Sequence, residues 1–321
     1  MDLMRRLGAR AALVTALVLG SAVAEAGATA PTMQQALSNH LRAQIAEIEH
    51  HLDGVLGVAI VDLVSGEEFL IHPDEVFPQA SSIKIALLAE LYRQAGQAAA
   101  GEKGKARLED LYTVRKEDVV QDSDILGGLT PGVTKVTNRD LATMVVAVSD
   151  NGATNVLIDR VGLANVNALM VSLGLPHTQL RRKMMDLKAA SEGRENVSTP
   201  REMAALLKRL YRGEVLKEPL LDDFFTMLST HKDSWLPRDL PEGVRVANKP
   251  GSLEGVRNDS GIVFLKNRAY VISVMCTYLT NERAGEEAIS AISAATFSMF
   301  DRLDRASEYG RVISPSNGST R

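Results

Sequence analysis

The chain has 321 residues, of which 45% are hydrophobic and 24% charged, and its formal net charge is −4. A chain of this length and hydrophobic content can bury a sizeable core, as one large domain or as two interleaved lobes. The charge balance provides no basic stripe of the kind that nucleic acids require, so we expect a small molecule or a polymer as ligand and no nucleic-acid partner.

The N-terminal residues have the features of a secretory signal peptide. Arginines precede an apolar run at 11–24, and Ala24-Glu25-Ala26 is a small-x-small cleavage site. The apolar run is shorter than the roughly 20 residues that a membrane-spanning helix needs. We therefore expect a signal peptide at residues 1–26, a periplasmic or secreted protein by either export route, and no stable membrane anchor.

The apolar spacing then predicts the elements in chain order. The N-terminal half is expected to contain a helix at 33–52, strands at 55–62 and 68–72, and helices at 81–95, 139–161 and 200–211. The C-terminal part is expected to contain strands at 244–248, 261–265 and 270–278 and a long helix at 283–303.

Strands near both ends with helices between them predict an α/β (α+β) fold, in which an antiparallel sheet is built from both termini and has flanking helices. An all-helical lobe is inserted into the middle of the chain. The expected boundaries are 33–80 and 225–305 for the α/β lobe, 81–224 for the helical lobe and 306–321 for a flexible tail.

Metal and disulfide chemistry find little support in the sequence. Cys276 is the only cysteine, so no intramolecular disulfide can form, and its apolar surroundings predict a buried, inert thiol. The six histidines form no zinc-binding pattern. We expect neither a metal nor a cofactor.

Ser81-Ser82-Ile83-Lys84 stands at the start of a predicted helix, where it combines a hydroxyl with an amine. Residues three apart on a helix are neighbours, so Lys84 can lie beside Ser81. Serine is a poor nucleophile unless a base takes its proton, and a lysine withdrawn from water can serve as that base. The alternative is that Ser81 caps the helix and Lys84 is solvated.

The same Ser-x-x-Lys spacing occurs at Ser229 and Lys232. The following segment, Asp233-Ser234-Trp235-Leu236-Pro237, cannot continue an apolar helix. We therefore expect this second occurrence to be solvated surface.

Ser149-Asp150-Asn151-Gly152 is a polar segment between two apolar runs, 141–148 and 153–158. Such residues often form a turn or a helix cap. Their position between two buried runs also fits the wall of a cleft.

Three segments in this order resemble the signatures of the class A β-lactamase and penicillin-binding-protein superfamily. The similarity spans essentially the whole chain after the signal. The segments are Phe77-Pro78-Gln79-Ala80-Ser81-Ser82-Ile83-Lys84, Ser149-Asp150-Asn151-Gly152-Ala153-Thr154-Asn155 and Lys249-Pro250-Gly251-Ser252.

The resemblance implies Ser81 as the acylated nucleophile and Lys84 as a base or proton relay. It implies that Ser149 relays a proton toward the leaving lactam nitrogen.

It further implies that Asn151 contacts the substrate amide and that Lys249 binds the substrate carboxylate. The backbone N–H groups of Ser81 and Ser252 would form the oxyanion hole, and Asn155 would tie the helical lobe to the loop beneath the site.

Pro250 departs from the family pattern, which has Thr or Ser after the lysine. Residues 250 and 252 face the same way along a strand, so the missing N–H of Pro250 removes no ladder bond. The hydroxyl that binds the carboxylate is lost, and Ser252 or Arg257 is the candidate to replace it.

The Glu-x-x-Leu-Asn loop of class A enzymes is also missing, since the corresponding stretch, 181–187, has no glutamate in that pattern. Asp186 is the nearest carboxylate and the candidate to orient the deacylating water, with a turn cap as its alternative role. Glu192 and Glu195 are poorer candidates because they lie near the exit of the loop.

We therefore expect a serine β-lactamase that hydrolyses the β-lactam amide through a Ser81 acyl-enzyme. Its alternative is a penicillin-binding D-alanyl-D-alanine peptidase or esterase with slow deacylation. A β-lactam sensor ranks last, because a sensor needs a membrane segment. The expected partners are a β-lactam or a peptidoglycan-type peptide, bound by a monomer.

Overall fold

The computed structural model describes residues 32–307 and 309–311. The predicted signal peptide lies outside these residues, as does most of the predicted tail. The α-helices are α1 (Met33–His51), α2 (Lys84–Ala99), α3 (Asn138–Ala147), α4 (Asn151–Val161), α5 (Leu163–Ser172), α6 (Leu187–Ser191), α7 (Pro200–Tyr211), α8 (Leu220–Leu228) and α9 (Glu282–Arg305). The strands are β1 (Val55–Asp62), β2 (Glu68–Ile71), β3 (Phe77–Pro78), β4 (Leu111–Thr113), β5 (Lys135–Thr137), β6 (Val197–Ser198), β7 (Arg245–Leu253), β8 (Val256–Phe264) and β9 (Ala269–Thr277).

The main sheet has five antiparallel strands in the order β2-β1-β9-β8-β7. Strand β1, from the N-terminal part, pairs with β9, from the C-terminal part, and Val58 is opposite Val274. The prediction of an antiparallel sheet built from both termini with flanking helices is confirmed. Strand β7 is an edge strand, and its outer edge is available to form one wall of a cleft.

Both faces of the central strands are buried, which explains why β1 and β9 are almost continuous apolar runs. Along β1, Val58 and Ile60 pack with α1 and α9, whereas Ala59 and Val61 belong to the core shared with the helices of the middle segment. This alternation follows from the pleat of a strand. The sheet thereby joins two cores, one on each face.

The helix predicted at 139–161 is two helices, α3 and α4, with a break at Ser149 and Asp150. Ser149 has a φ of 61°, a left-handed conformation that ends α3. The Asp150 carboxylate caps α4 by accepting from Ala153 N (2.8 Å). It also accepts from the backbone N–H groups of Ile125 (3.0 Å) and Leu126 (2.9 Å), so the break depends on a distant loop that periodicity does not reveal.

No helix among residues 32–307 and 309–311 is both long and apolar enough to cross a membrane.

Candidate active site

Ser81 lies in a 3-10 turn, Ala80–Ile83, which leads directly into α2. Ala80 has a φ of 48°, which is unusual for a residue with a side chain. Neither the turn nor α2 has a side-chain cap, so Ser81 does not act as a helix cap. Its hydroxyl is therefore available for chemistry.

Lys84 is the first residue of α2 and is completely buried. Its Nζ donates to Ser149 O (2.6 Å), Ser149 Oγ (3.0 Å) and Asn151 Oδ1 (3.0 Å). Burial, and then the positive charge of Lys249, lower the pKa of Lys84 well below its usual range. A buried amine of this kind loses its proton readily, which a general base requires.

Ser149 connects the lysine to the nucleophile. Ser149 Oγ donates to Ser81 Oγ (2.8 Å) and lies 3.0 Å from Lys84 Nζ. A hydroxyl both donates and accepts, so a proton can pass from Ser81 to Lys84 through Ser149. We predicted from the sequence that Lys84 lies directly beside Ser81. In the structure Lys84 instead contacts Ser149, which in turn contacts the nucleophile.

Lys249, on β7, supplies a second amine to the same hydroxyl. Its Nζ donates to Ser149 Oγ (3.1 Å) and to Pro250 O (3.0 Å), and only 1% of the residue is exposed. Burial lowers the pKa of Lys249 to about 7, while the Asp259 carboxylate raises it and Lys232 lowers it further. An anion bound beside Lys249 would restore its proton.

Gly251 allows β7 to approach the turn that carries the nucleophile. A Cβ at this position would lie 2.7 Å from Gln79 O and 2.7 Å from Ser82 N. Ser82 Oγ also donates to Lys249 O (3.1 Å), which fastens the turn to the strand. The edge position of β7 accommodates Pro250, because a proline on an edge strand removes no ladder bond there.

A cleft runs past Ser81 between these elements. Its larger part has a volume of about 360 Å³, and the smaller part, about 250 Å³, lies toward Lys249. Ser81, Ser149 and Ser252 border both parts, and Asn151 borders the larger one. The structure thus brings these predicted site residues to one cleft.

Arg257 does not line either part of the cleft. Its guanidinium pairs with Glu282 and with Glu286 (3.0 Å) on α9. Its predicted role in carboxylate binding has no geometric support.

Five residues of the loop beneath the site, 181–196, border the cleft: Arg182, Met184, Met185, Leu187 and Asn196. The Asn155 side chain accepts from Met184 N (2.8 Å) and donates to Met184 O (3.1 Å), which is the tie that the resemblance implied. Arg182 is held by Glu195, with Nη2 2.7 Å from Oε1. A cation and a thioether of this loop therefore border the cleft, and no carboxylate of residues 181–196 does.

Asp186 is not in the lining of the cleft. Its side chain is exposed and accepts from Ala189 N (3.0 Å), so it caps α6. Glu192 is also exposed and pairs with Arg194. The expectation that Asp186 orients the deacylating water therefore requires correction, and its alternative role as a cap matches the geometry.

Sequence reasoning missed five charged residues of the cleft, among them Arg182 in the larger part and Asp233 at the rim of the smaller part. Asp122 and Asp124 border the larger part, on a loop whose Asp122 O accepts from Asn151 N (2.9 Å). Lys232 borders the smaller part, although it was expected to be solvated surface. The clustered aspartates were a visible signal, whereas the position of Lys232 depends on how α8 packs on β7.

Within the described part of the chain, no group of three or more His, Cys, Asp or Glu side chains is arranged to hold a metal ion. The histidines that contact acids do so singly: His51 meets Glu47, His72 meets Glu49 and His177 meets Glu202.

Comparison with known proteins places this site in a family. A sequence model described as the beta-lactamase enzyme family matches residues 40–300. Beta-lactamase SME-1 of Serratia marcescens is 30% identical over 247 residues, which make up 73% of this chain and 80% of the relative.

Two solved structures extend the similarity to the fold. The crystal structure of a β-lactamase from Sphaerobacter thermophilus aligns with a TM-score of 0.72 at 34% identity, covering 81% of this chain and 96% of that chain. A mutant of PBP-A, solved as its acyl-enzyme complex with penicillin G, aligns with a TM-score of 0.73 at 27% identity, covering 83% and 97%. The cleft and these similarities together confirm the resemblance read from the sequence: the chain belongs to the β-lactamase enzyme family.

Proposed function

We propose that the protein is a serine β-lactamase that opens the β-lactam amide through an acyl-enzyme on Ser81. One observation carries the proposal: the hydroxyl of Ser81 meets that of Ser149, which in turn contacts the buried amine of Lys84. Family membership supports the same chemistry.

Acylation follows from these contacts. Ser81 Oγ attacks the lactam carbonyl carbon, and its proton passes through Ser149 to the neutral Lys84. The carbonyl oxygen becomes an oxyanion, for which the N–H groups of Ser81 and Ser252 are the proposed donors. The C–N bond then breaks, and the ring nitrogen receives a proton from Ser149, which Lys84 re-protonates.

Deacylation must work without a carboxylate from the loop beneath the site. The loop residues that border the cleft are Arg182, Met184, Met185, Leu187 and Asn196, and none of these side chains accepts a proton at neutral pH. We propose that Lys84, neutral again after acylation, activates the water through Ser149 Oγ. Since this water has no dedicated carboxylate, hydrolysis of the acyl-enzyme is expected to be the slow step.

Pre-steady-state hydrolysis of benzylpenicillin tests this proposal. We expect a burst equal to one ring opened per protein molecule, followed by a slower steady rate. A linear time course without a burst would contradict slow deacylation. Failure to open any ring would contradict the proposed activity itself.

A D-alanyl-D-alanine peptidase is the second candidate function. The described loop, 181–196, brings no carboxylate to the cleft, and this favours a peptidase. An enzyme that only binds penicillin needs no base to hydrolyse the penicilloyl ester. Release of D-alanine from a peptide ending in D-alanyl-D-alanine measures this activity. Release much faster than penicillin turnover would make the protein a peptidase.

We also propose that residues 1–26 direct export, that 33–80 with 225–305 and 81–224 form the two lobes, and that the protein is a monomer. If the mass of the exported protein matched a chain that begins at Gly27, the measurement would support the predicted cleavage site. Light scattering with size-exclusion chromatography measures the oligomeric state.

A further inference from the structure

Lys232 belongs to the second Ser-x-x-Lys sequence, for which the proposed reaction has no use. It follows the C-terminus of α8 and is half-buried. Its Nζ donates to Leu228 O (2.9 Å) and lies 3.5 Å from Asn248 Oδ1, at the outer limit of a hydrogen bond. Among the described residues these are its polar contacts, so the ammonium has no carboxylate partner.

The side chain borders the smaller part of the cleft, together with Ser81, Ser149 and Lys249. Two lysines, one in the segment that follows α8 and one on β7, therefore line a space of about 250 Å³ beside the nucleophile. A cleft lined by charges of one sign attracts a ligand of the opposite sign.

The acids around these amines do not neutralise them. Asp259 is fully buried, and its carboxylate accepts from Trp235 N (3.0 Å), Leu236 N (3.0 Å) and Asn248 Nδ2 (2.8 and 2.9 Å). Burial raises the pKa of Asp259 to about 6, so it carries its negative charge less readily than an exposed aspartate. Asp233 stands at the rim, where water screens its charge.

The amines of Lys232 and Lys249 therefore have little negative charge near them. Burial lowers the pKa of Lys232 to about 8, although Asp259 raises it. A carboxylate that entered the smaller part of the cleft would supply the missing charge. Pro250 borders this space and has no hydroxyl to offer such a carboxylate.

We propose that Lys232 is a second cation for the substrate carboxylate, which it binds together with Lys249 in place of the hydroxyl that Pro250 lacks. The inference rests on the proposed function for the identity of the ligand. It makes the protein selective for acyl donors that bear a carboxylate at this end of the cleft.

A purely structural role predicts a different outcome. In such a role, Lys232 only caps the C-terminal end of α8 and contacts no ligand. Lys217 makes the same kind of backbone contact away from the cleft, where its Nζ donates to Gly213 O (2.5 Å). Lys217→Gln therefore serves as a matched control, because it removes an amine with the same kind of backbone contact and leaves the cleft intact.

The test measures non-covalent binding by calorimetry in a Ser81→Ala background, with benzylpenicillin and its methyl ester as probes. We expect Lys232→Gln to weaken binding of the acid by roughly 10- to 100-fold, the range for one charge-assisted hydrogen bond, and to leave binding of the ester unchanged. Lys232→Arg should retain most of the affinity. Lys217→Gln should change neither value.

Equal affinity for the acid with and without Lys232 would overturn the inference. Equal weakening of acid and ester would assign Lys232 a structural role and would overturn it as well, as would the absence of binding by either probe. Because the background lacks the nucleophile, these results do not depend on turnover. If the proposed function failed, the protein with Ser81 intact would not open the ring, whatever the binding data showed.

Discussion

Ser149 Oγ and Ser81 Oγ lie 2.8 Å apart, and this hydrogen bond joins the helical segment to the turn that carries the nucleophile. Ser149 can reach Ser81 because its left-handed backbone ends α3 just before Asp150 caps α4. Lys84 Nζ contacts both Ser149 O and Ser149 Oγ. The chemistry of Ser81 therefore depends on a backbone conformation 68 residues away in the chain.

Lys84→Met should lower the acylation rate by about 10²–10⁴-fold, the usual contribution of a general base. Methionine fills a similar volume but accepts no proton from Ser149. Rapid-quench measurement of the acyl-enzyme formed from benzylpenicillin gives the rate. An acylation rate close to that of the unaltered protein would show that Lys84 takes no part in proton transfer.

The alkaline limb of the pH profile should report Lys249. Its pKa is lowered to about 7, so above that pH it is increasingly neutral and binds a carboxylate less well. We expect kcat/KM for benzylpenicillin to fall as the pH rises through this value. The limb in kcat should lie at higher pH, because a bound carboxylate favours the protonated lysine.

The charged groups around Lys249 are Lys84, Lys232 and Asp259, so its titration is coupled to theirs. Lys249→Arg is the control, since a guanidinium stays charged and should remove the alkaline limb. A limb that is unchanged in Lys249→Arg would assign the titration to another group.

Gly251→Ala should destabilise the protein by about 1–3 kcal/mol, the usual cost of inserting a methyl group into a packed site. The added carbon would meet Gln79 O and Ser82 N at 2.7 Å, and these backbone atoms belong to the nucleophile turn. Thermal unfolding measures the loss, and acylation should slow as well. Gly128→Ala is the control, because a Cβ there meets nothing within 4 Å. Equal melting temperatures for both variants would contradict the close approach of β7.

Asp186→Asn should leave both acylation and deacylation unchanged, because asparagine also caps a helix and the carboxylate lies outside the cleft lining. Met184→Glu should instead speed deacylation. Met184 borders the cleft, and Asn155 holds its backbone, so a glutamate there would be positioned to activate a water.

Leu187→Glu is the matched control for Met184→Glu, since Leu187 also borders the cleft but is 66% exposed. Single-turnover decay of the acyl-enzyme separates the variants. Slower decay in Asp186→Asn would return Asp186 to the mechanism. Equal decay in the two glutamate variants would show that the position of the carboxylate does not matter.

Much of the fold could be predicted because the strands and helices carry their own patterns. Helix α7 begins and ends at the predicted residues, and the long helix α9 differs from its prediction by one or two residues at each end. Strand β7 was predicted only as far as Asn248, although it continues to Leu253. The second half of β7 was missed because it contains a proline and a glycine, which usually indicate a loop. On this edge strand they instead allow contact with the nucleophile turn.

The site was predicted where motifs mark it and missed where tertiary packing decides. Ser81, Lys84, Ser149 and Lys249 lie within one hydrogen-bonded group. Lys232 was assigned to the surface because the residues after it end a helix, but the packing of α8 on β7 brings it to the cleft. Asp186 was chosen for its spacing in the loop, and its contact with Ala189 N shows that local capping determines its orientation.

Intact-mass spectrometry after brief and prolonged exposure to benzylpenicillin shows whether Ser81 is acylated and whether the acyl-enzyme is hydrolysed. We predict one penicilloyl adduct on Ser81 at short times and its disappearance at long times as the ester is hydrolysed. Ser81→Ala should form no adduct, whereas Ser229→Ala should behave like the unaltered protein, because Ser229 Oγ donates to Phe225 O (2.7 Å) outside the cleft. An adduct that forms in Ser81→Ala, or an adduct in the unaltered protein that never decays, would contradict hydrolysis through an acyl-enzyme on Ser81.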